Sequence, residues 1–257
     1  MSSLPPHGRV DCTLCYKGEP VTFDHTSRTE GTWRIRANPL AWGNPHAEIV
    51  VLGFSKGPNQ VGALIAAKHD DIACKRGRTN VGKILAHLGL IPPAGPKELR
   101  REVDRLIAER SGRYHFGSLV RCTVERLDQK SRAWKGSGGG MLDKFIATPF
   151  GKSVVSNCSR SFLGNLPPTT RLVVMFGLGN RLNYVNEVFA IWKSARPGPW
   201  TKLNEIAYTD GTLTVVHVEH FAAQGALIPR WLGVTPNDRA QLGLLARETV
   251  RQALASR

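Results

Sequence analysis

Four apolar runs punctuate the chain, and each ends in a polar or glycine-rich turn. The clearest is Ile49-Val50-Val51-Leu52, which stops at Gly53-Phe54-Ser55-Lys56-Gly57-Pro58-Asn59-Gln60. An unbroken run of β-branched and aliphatic residues reads as a strand buried on both faces, the signature of a parallel sheet. Tyr114 to Val120, Arg171 to Gly177 and Leu213 to Val218 read the same way. Thr32 to Ile35 adds a short strand. Helical periodicity fills the intervals: Val61 to His69, Val81 to Leu90 capped by Asn80, and Lys97 to Arg110 with Leu99, Val103, Leu106 and Ile107 on one face. It returns over Ser153 to Leu163, Asn180 to Trp192 and Pro236 to Ala255, the last with Leu242, Leu245 and Val250 inward. Strands alternating with helices predict an α/β protein. The expectation is one domain over residues 1–257, a three-layer α/β/α sandwich around a central, mostly parallel four-stranded sheet. Ligands of such sheets sit at the carboxyl ends of the strands. Glu125 to Gly151 breaks the rhythm. With Lys130, Arg132, Trp134, Lys135 and the run Gly136-Ser137-Gly138-Gly139-Gly140, it reads as a flexible basic insertion.

Composition is that of an ordinary globular protein, with 41% hydrophobic and 21% charged residues. The charge balance is not: 35 Lys and Arg against 20 Asp and Glu leave a net charge of +15. Such an excess points to a polyanionic partner, above all nucleic acid. No apolar run approaches the ~18 residues that span a bilayer. The first ten residues hold two prolines and no apolar signal core, so a cytoplasmic monomer without a membrane partner is expected. In a reducing compartment the five cysteines are free thiols or metal ligands. Cys12-x-x-Cys15 can turn two thiolates onto one metal or cluster, and Cys122 and Cys158 are candidates to complete the set. Spacing leaves an iron–sulfur cluster and a Cys₄ zinc site both open. Cys74-Lys75-Arg76-Gly77-Arg78 reads as a phosphate-contacting loop. Gly177-Leu178-Gly179 lacks the full glycine pattern of a dinucleotide turn, and no P-loop lysine motif is present.

Taken in order, Cys12-x-x-Cys15, the strand and glycine turn at Gly53, the strand running to Cys122 with Cys158 on the next helix, and the strand ending at His220 resemble the uracil-DNA glycosylase superfamily, specifically its iron–sulfur branch. The resemblance covers most of the chain, from about Cys12 to Arg230. It implies a [4Fe–4S] cluster on Cys12, Cys15, Cys122 and Cys158, with Cys74 free, and DNA, single- or double-stranded, as the partner. It implies catalysis by His220 as donor to the leaving base, with Asn59 or Ser55 orienting water. Gly53, Phe54, Ser118 and Phe221 would form the base pocket. Lys56, Lys75, Arg76, Arg78 and Arg230 would contact DNA. The departures fall on the chemistry. Ser55 stands where many relatives have Asp or Asn, and Ser118 replaces the pyrimidine-reading Asn. His220-Phe221-Ala222 replaces His-Pro-Ser, and His217 competes for the histidine role. Short Ser118 opens volume and cannot present the paired donor and acceptor of an amide. The implied activity is therefore excision of a bulky modified pyrimidine, such as a hydroxymethylated or glucosylated phage base, rather than plain uracil, in repair or antiviral defence. The alternative is a catalytically inactive iron–sulfur nucleic-acid-binding protein.

Overall fold

The structure, a computed structural model, describes residues 3–16, 18, 20–64, 66–136, 142–223, 227–235 and 237–255. Four strands open the chain: β1 (Gly8–Arg9), β2 (Ser27–Glu30), β3 (Trp33–Arg36) and β4 (Leu40–Gly43). β5 (Ile49–Gly53) leads into a short α1 (Pro58–Val61), then α2 (Arg78–His87) and α3 (Pro96–Ala108). β6 (Tyr114–Ser118), β7 (Thr123–Leu127) and β8 (Trp134–Gly136) come next, then α4 (Leu142–Ile146) and α5 (Pro149–Phe162). β9 (Leu172–Phe176), α6 (Asn183–Ala195), β10 (Thr201–Asn204), β11 (Ala207–Thr209) and β12 (Thr214–Val218) precede α7 (Leu227–Trp231) and α8 (Asp238–Ala255).

The protein is α/β, built on a mixed eight-stranded sheet in the order β1-β4-β6-β5-β9-β12-β11-β10. The four apolar runs form its parallel middle, β6-β5-β9-β12. β5 is buried from Ile49 to Leu52, and β9 and β12 along their whole length, as strands covered on both faces must be. A four-stranded sheet is thus an undercount. β1 and β4 on one side and the β11–β10 hairpin on the other pair antiparallel to the centre. These edges are two to four residues long, too short to declare a period in sequence.

Helices lie on both faces. Gly95 and Pro96 start α3, proline being tolerated where the amide has no helical partner. Its buried stripe packs beside α2 over β4 and β6, and α8 lies against β9 and β12. Thr148 caps α5 by accepting the Gly151 N–H at 3.0 Å. α4, α5 and α6 pack together, and α6 meets the opposite sheet face where Tyr184 lies 5.7 Å from the His217 ring.

Three local expectations are corrected. Val61 to His69 is not a helix: helical structure stops at Val61, and a single 3₁₀ turn forms at His69–Asp71. Asn80 lies inside α2 rather than capping it, and its side chain donates to Phe221 O at 3.0 Å. The supposed flexible insertion at 125–151 is largely ordered. β7 and β8 belong to a second sheet, β2-β3-β7-β8, and α4 and the start of α5 complete the segment. Buried Glu125 is gripped by Arg34 at 2.7 Å and Arg36 at 2.9 Å. Trp134 lies under the Arg34 guanidinium, 4.4 Å away, as a packing residue. Residues 137–141, with most of the glycine run, and Pro236 lie outside the described residues. No helix among the described residues is long and apolar enough to cross a membrane.

Candidate functional site

In-register pairing of Gly53 with Ser118, and of Phe176 with Val218, brings the ends of the parallel strands to one edge. A cleft of about 900 Å³ opens there. Gly53, Phe54, Ser55, Asn59, Ser118, His220 and Phe221, expected to act together, all line it. Val51, Phe116 and Trp42 form an apolar floor, since side chains two apart on a strand share a face.

His220 follows β12. Its Nδ1 accepts the main-chain N–H of Ala222 at 3.1 Å, so in the neutral ring Nε2 carries the proton. Burial lowers its pKa, and the Glu219 carboxylate raises it. Glu219 is itself held: it accepts the His220 N–H at 3.0 Å and the Arg239 Nε–H at 2.5 Å. Phe221 stacks on His220 with ring centroids 4.7 Å apart. Its ring presses so closely on Gly77 that a Cβ there would lie 2.3 Å from Cδ2. Phe221 therefore fixes the histidine, and Phe54 is the second aromatic residue of the lining.

His217 is not a site residue. It points to the α6 side of the sheet, 3.0 Å from Gly177 O and 3.1 Å from the Tyr208 hydroxyl. Burial drives its pKa down to about 4.

The expected DNA contacts divide. Lys75 and Arg76 line the cleft lip, and Arg230 is exposed on α7. Lys56 and Arg78 are corrected to structural residues. Lys56 is 1% exposed and donates to Arg121 O, tying the glycine turn to the start of β7; burial lowers its pKa to about 8. Arg78 bonds Asp104 at 2.5 Å and the carbonyls of Ala73 and Asp70, anchoring α2. For Lys56 the decisive partner lies 65 residues away in sequence, and for Arg78 the carboxylate partner lies 26 residues away. Cys74 and Arg76, which line the cleft, and Arg181 and Leu182, which lie between the lining residues Asn180 and Asn183, adopt left-handed backbone that side chains disfavour. Such strain concentrates at functional sites.

Cys12, Cys15, Cys122 and Cys158 line one small cavity together with Arg121 and Phe162. Cys74 is elsewhere, buried in the core, with its pKa pushed up to about 12 by burial. Among the described residues the four grouped sulfurs do not form a close-set group of metal-ligand atoms. Arg121 is 1% exposed beside them. It reaches Leu40 O at 3.3 Å and His115 Nε2 at 3.4 Å, while its Nε has no hydrogen-bond partner. Among the described residues no carboxylate pairs with it. A second group, His7, His69 and Asp70, is close enough to suggest a metal. His7 Nδ1 accepts the Gly43 N–H at 3.2 Å, so in the neutral ring Nε2 bears the proton; it lies 2.9 Å from Asp70 Oδ1, which has no hydrogen-bond partner.

Sequence reasoning missed the wall opposite α2. Asp143 of α4 and Asn183, Tyr184 and Glu187 of α6 line the cleft. No motif marks them, because their facing depends on how α4 and α6 pack. No protein-family model matches this chain, and no curated protein does.

Proposed function

We propose that the protein is a DNA glycosylase, resembling the iron–sulfur branch of the uracil-DNA glycosylase superfamily. It flips a modified pyrimidine out of DNA and hydrolyses its N-glycosidic bond, leaving an abasic site. The supporting observation is the convergence, in one cleft, of the Gly53–Gly57 turn, Ser118 and a neutral His220 with Nε2–H as donor. Base flipping is required because the bond is out of reach inside a stacked duplex. Cleavage builds positive charge on the sugar and negative charge on the departing base. A fixed donor at the base oxygen is worth about 3 kcal/mol in such reactions, and that is the role of His220. Main-chain amides of the glycine turn assist, Asn59 or Ser55 orients the water, and Phe54 stacks on the base. A cleft of about 900 Å³ is near the top of the range, roughly 300–1,000 Å³, that holds drug-sized ligands. It suits a bulky modified pyrimidine better than uracil.

The four grouped cysteines support a [4Fe–4S] cluster. Four thiolates are what such a cluster requires, one to each iron of the cubane, and a Cys₄ zinc site is the alternative reading. A net-anionic cluster also supplies the counter-charge that buried Arg121 lacks. Its role is structural: it joins the N-terminal segment to β7 and α5. Lys75, Arg76 and Arg230 contact phosphate, so DNA affinity falls with salt, by a logarithmic slope of about −0.9 per phosphate neutralised.

The test is base release from DNAs carrying uracil, hypoxanthine, 5-hydroxymethyl or glucosylated pyrimidines, with abasic sites read as alkaline strand breaks. Release from the modified pyrimidines but not from uracil is the expected result. The turn at Gly53 bears no carboxylate, which favours one rival, the inactive iron–sulfur nucleic-acid-binding protein. Salt-sensitive DNA binding without release of any base would establish it instead.

A further inference from the structure

β7 and β8 form an antiparallel hairpin joined by the turn at 128–133. Arg126 on β7 and Lys130 and Arg132 in the turn are exposed, and among the described residues none of the three has a carboxylate partner. Lys135 stands opposite Arg126 in the register, and its ammonium bonds Asp128 at 2.7 Å. Like charges directly opposite on two strands disfavour their pairing, and Asp128 offsets only one of these two. The turn is held by its own hydrogen bonds. Asp128 N–H donates to Ala133 O at 2.9 Å, and Asp128 Oδ1 accepts the Ser131 N–H and hydroxyl at 2.8 Å each. At the base of the hairpin, Glu125 and Trp134 are both fixed against Arg34. Cations carried on an ordered element lose less freedom when they meet an anion. Lysines commonly guard an edge strand against pairing with another chain, which accounts for Lys135 on β8. Lys130 and Arg132 lie in the turn and guard no edge. The hairpin also leans on the cleft. A Cβ on Gly136 would lie 3.5 Å from Pro58, and Pro58 lines the cleft beside the glycine turn. No residue of β7 or β8 lines the cleft itself. At about 3.3 Å per residue, the run from Gly136 back to Ala133 puts the turn roughly 10 Å from the Pro58 contact.

We propose that the β7–β8 hairpin is a second DNA-contacting element, in which Arg126, Lys130 and Arg132 hold phosphates of the duplex flanking the base in the cleft. This rests on the reading of the cleft as a DNA base pocket. Charge chooses the occupant: a chain with a net charge of +15 that sets three unpaired cations on an ordered hairpin complements a polyanion of regular spacing. Each strand of a duplex presents a phosphate about every 3.4 Å of its axis, so a reach of roughly 10 Å covers about three phosphates. Such contacts carry no sequence information. They set the register and orientation of the protein on the duplex.

The experiment measures equilibrium binding, over a range of salt concentrations, to a duplex carrying 5-hydroxymethylcytosine at its centre. It compares the full chain as purified with a Lys130→Gln, Arg132→Gln double variant and with an Arg100→Gln, Arg101→Gln control. Arg100 and Arg101 are exposed on α3, which does not line the cleft. Loss of the two hairpin cations is expected to weaken binding about tenfold at low salt and to flatten the logarithmic salt slope by about two. The control should do neither. The deficit should vanish on a duplex shortened, on one of its two sides, to about three base pairs from the modified base. A deficit that survives shortening on each side overturns the placement on the flank. A hairpin variant with wild-type affinity and slope overturns the element while leaving DNA binding intact. An equal loss in the control does the same, since it shows attraction by net charge alone. A wild type that does not bind the duplex at all overturns the base-pocket reading, and the hairpin with it. A thermal melt of each variant checks its fold, and Arg126→Gln, expected to flatten the slope by about one, decides the matter if the turn variant melts early.

Discussion

Ala222 hands its main-chain N–H to Nδ1 of His220 across 3.1 Å. That one bond selects the ring tautomer and leaves Nε2–H as the donor, with no need for the ring to be charged. Glu219, the adjacent carboxylate, is occupied by Arg239 and by the His220 amide rather than by the ring. His220→Ala should then cost at least a hundredfold in base release, in line with about 3 kcal/mol for a preorganised donor. DNA affinity should stay within a few fold, since the phosphate contacts are assigned to Lys75, Arg76 and Arg230. Single-turnover release and filter binding on the same substrate separate the two quantities. Full activity in the variant would refute the assignment.

Gly77 owes its identity to Phe221. A methyl at residue 77 would lie 2.3 Å from Cδ2 and 2.8 Å from Cε2 of that ring, a clash that displaces it from its stack on His220. The Gly77 backbone itself is ordinary, so the penalty comes from the ring and not from φ. Gly77→Ala is expected to slow base release about tenfold or more. Added to Phe221→Ala it should cost little further, because the two substitutions act through one contact. Additive losses in that double-mutant cycle would sever the link between the two residues.

The parallel centre of the sheet is legible in sequence because Ile49–Leu52 and Leu172–Phe176 are apolar at every position, which only burial on both faces explains. The ends of those strands lead straight to Ser118, His220 and the glycine turn, so the near wall of the cleft is legible as well. β7 is not. Thr-Val-Glu-Arg-Leu looks like a solvated loop because Glu125 is neutralised by Arg34, 91 residues earlier. Lys56 and Arg78 mislead in the same way: a cation reads as surface until the distant carbonyl or carboxylate that holds it is known. Asp143 and Tyr184 carry no local signal, since helix packing alone turns them toward the cleft.

Acid should unfold the protein through its buried histidines. His115 and His217 are fully buried, and burial holds both below the ordinary 6.5, His217 at about 4. The unfolded chain binds these protons more readily, so their contribution is complete above pH 6.5 and is lost as the pH falls toward 4. For His217 the difference is on the order of 3 kcal/mol. The melting temperature should drop steadily from pH 7 to pH 4.5, and less steeply in His217→Gln. A flat profile over that range would mean that the two rings titrate alike in the folded and unfolded chains.

Arg121 makes the four cysteines a matter of stability as well as cofactor content. Its guanidinium is buried beside Cys158 and Cys12, with Phe162 4.5 Å away, and burial lowers its pKa to about 10. Burial also raises the pKa values of Cys15, Cys122 and Cys158, so thiols without a metal stay neutral and offer Arg121 no anion. Metal-bound thiolates do. The purified protein should carry about four irons per chain with the broad visible absorption of an iron–sulfur chromophore. Cys158→Ser should remove both, whereas Cys74→Ser should keep them. Stripping the metal leaves a buried charge without a partner, a condition that costs about 3–5 kcal/mol elsewhere. Denaturant unfolding of stripped and loaded protein measures that difference directly. In Arg121→Met the same stripping should cost less, because the charge that needs the cluster is gone. An equal loss in both would show that the cluster stabilises by cross-linking alone.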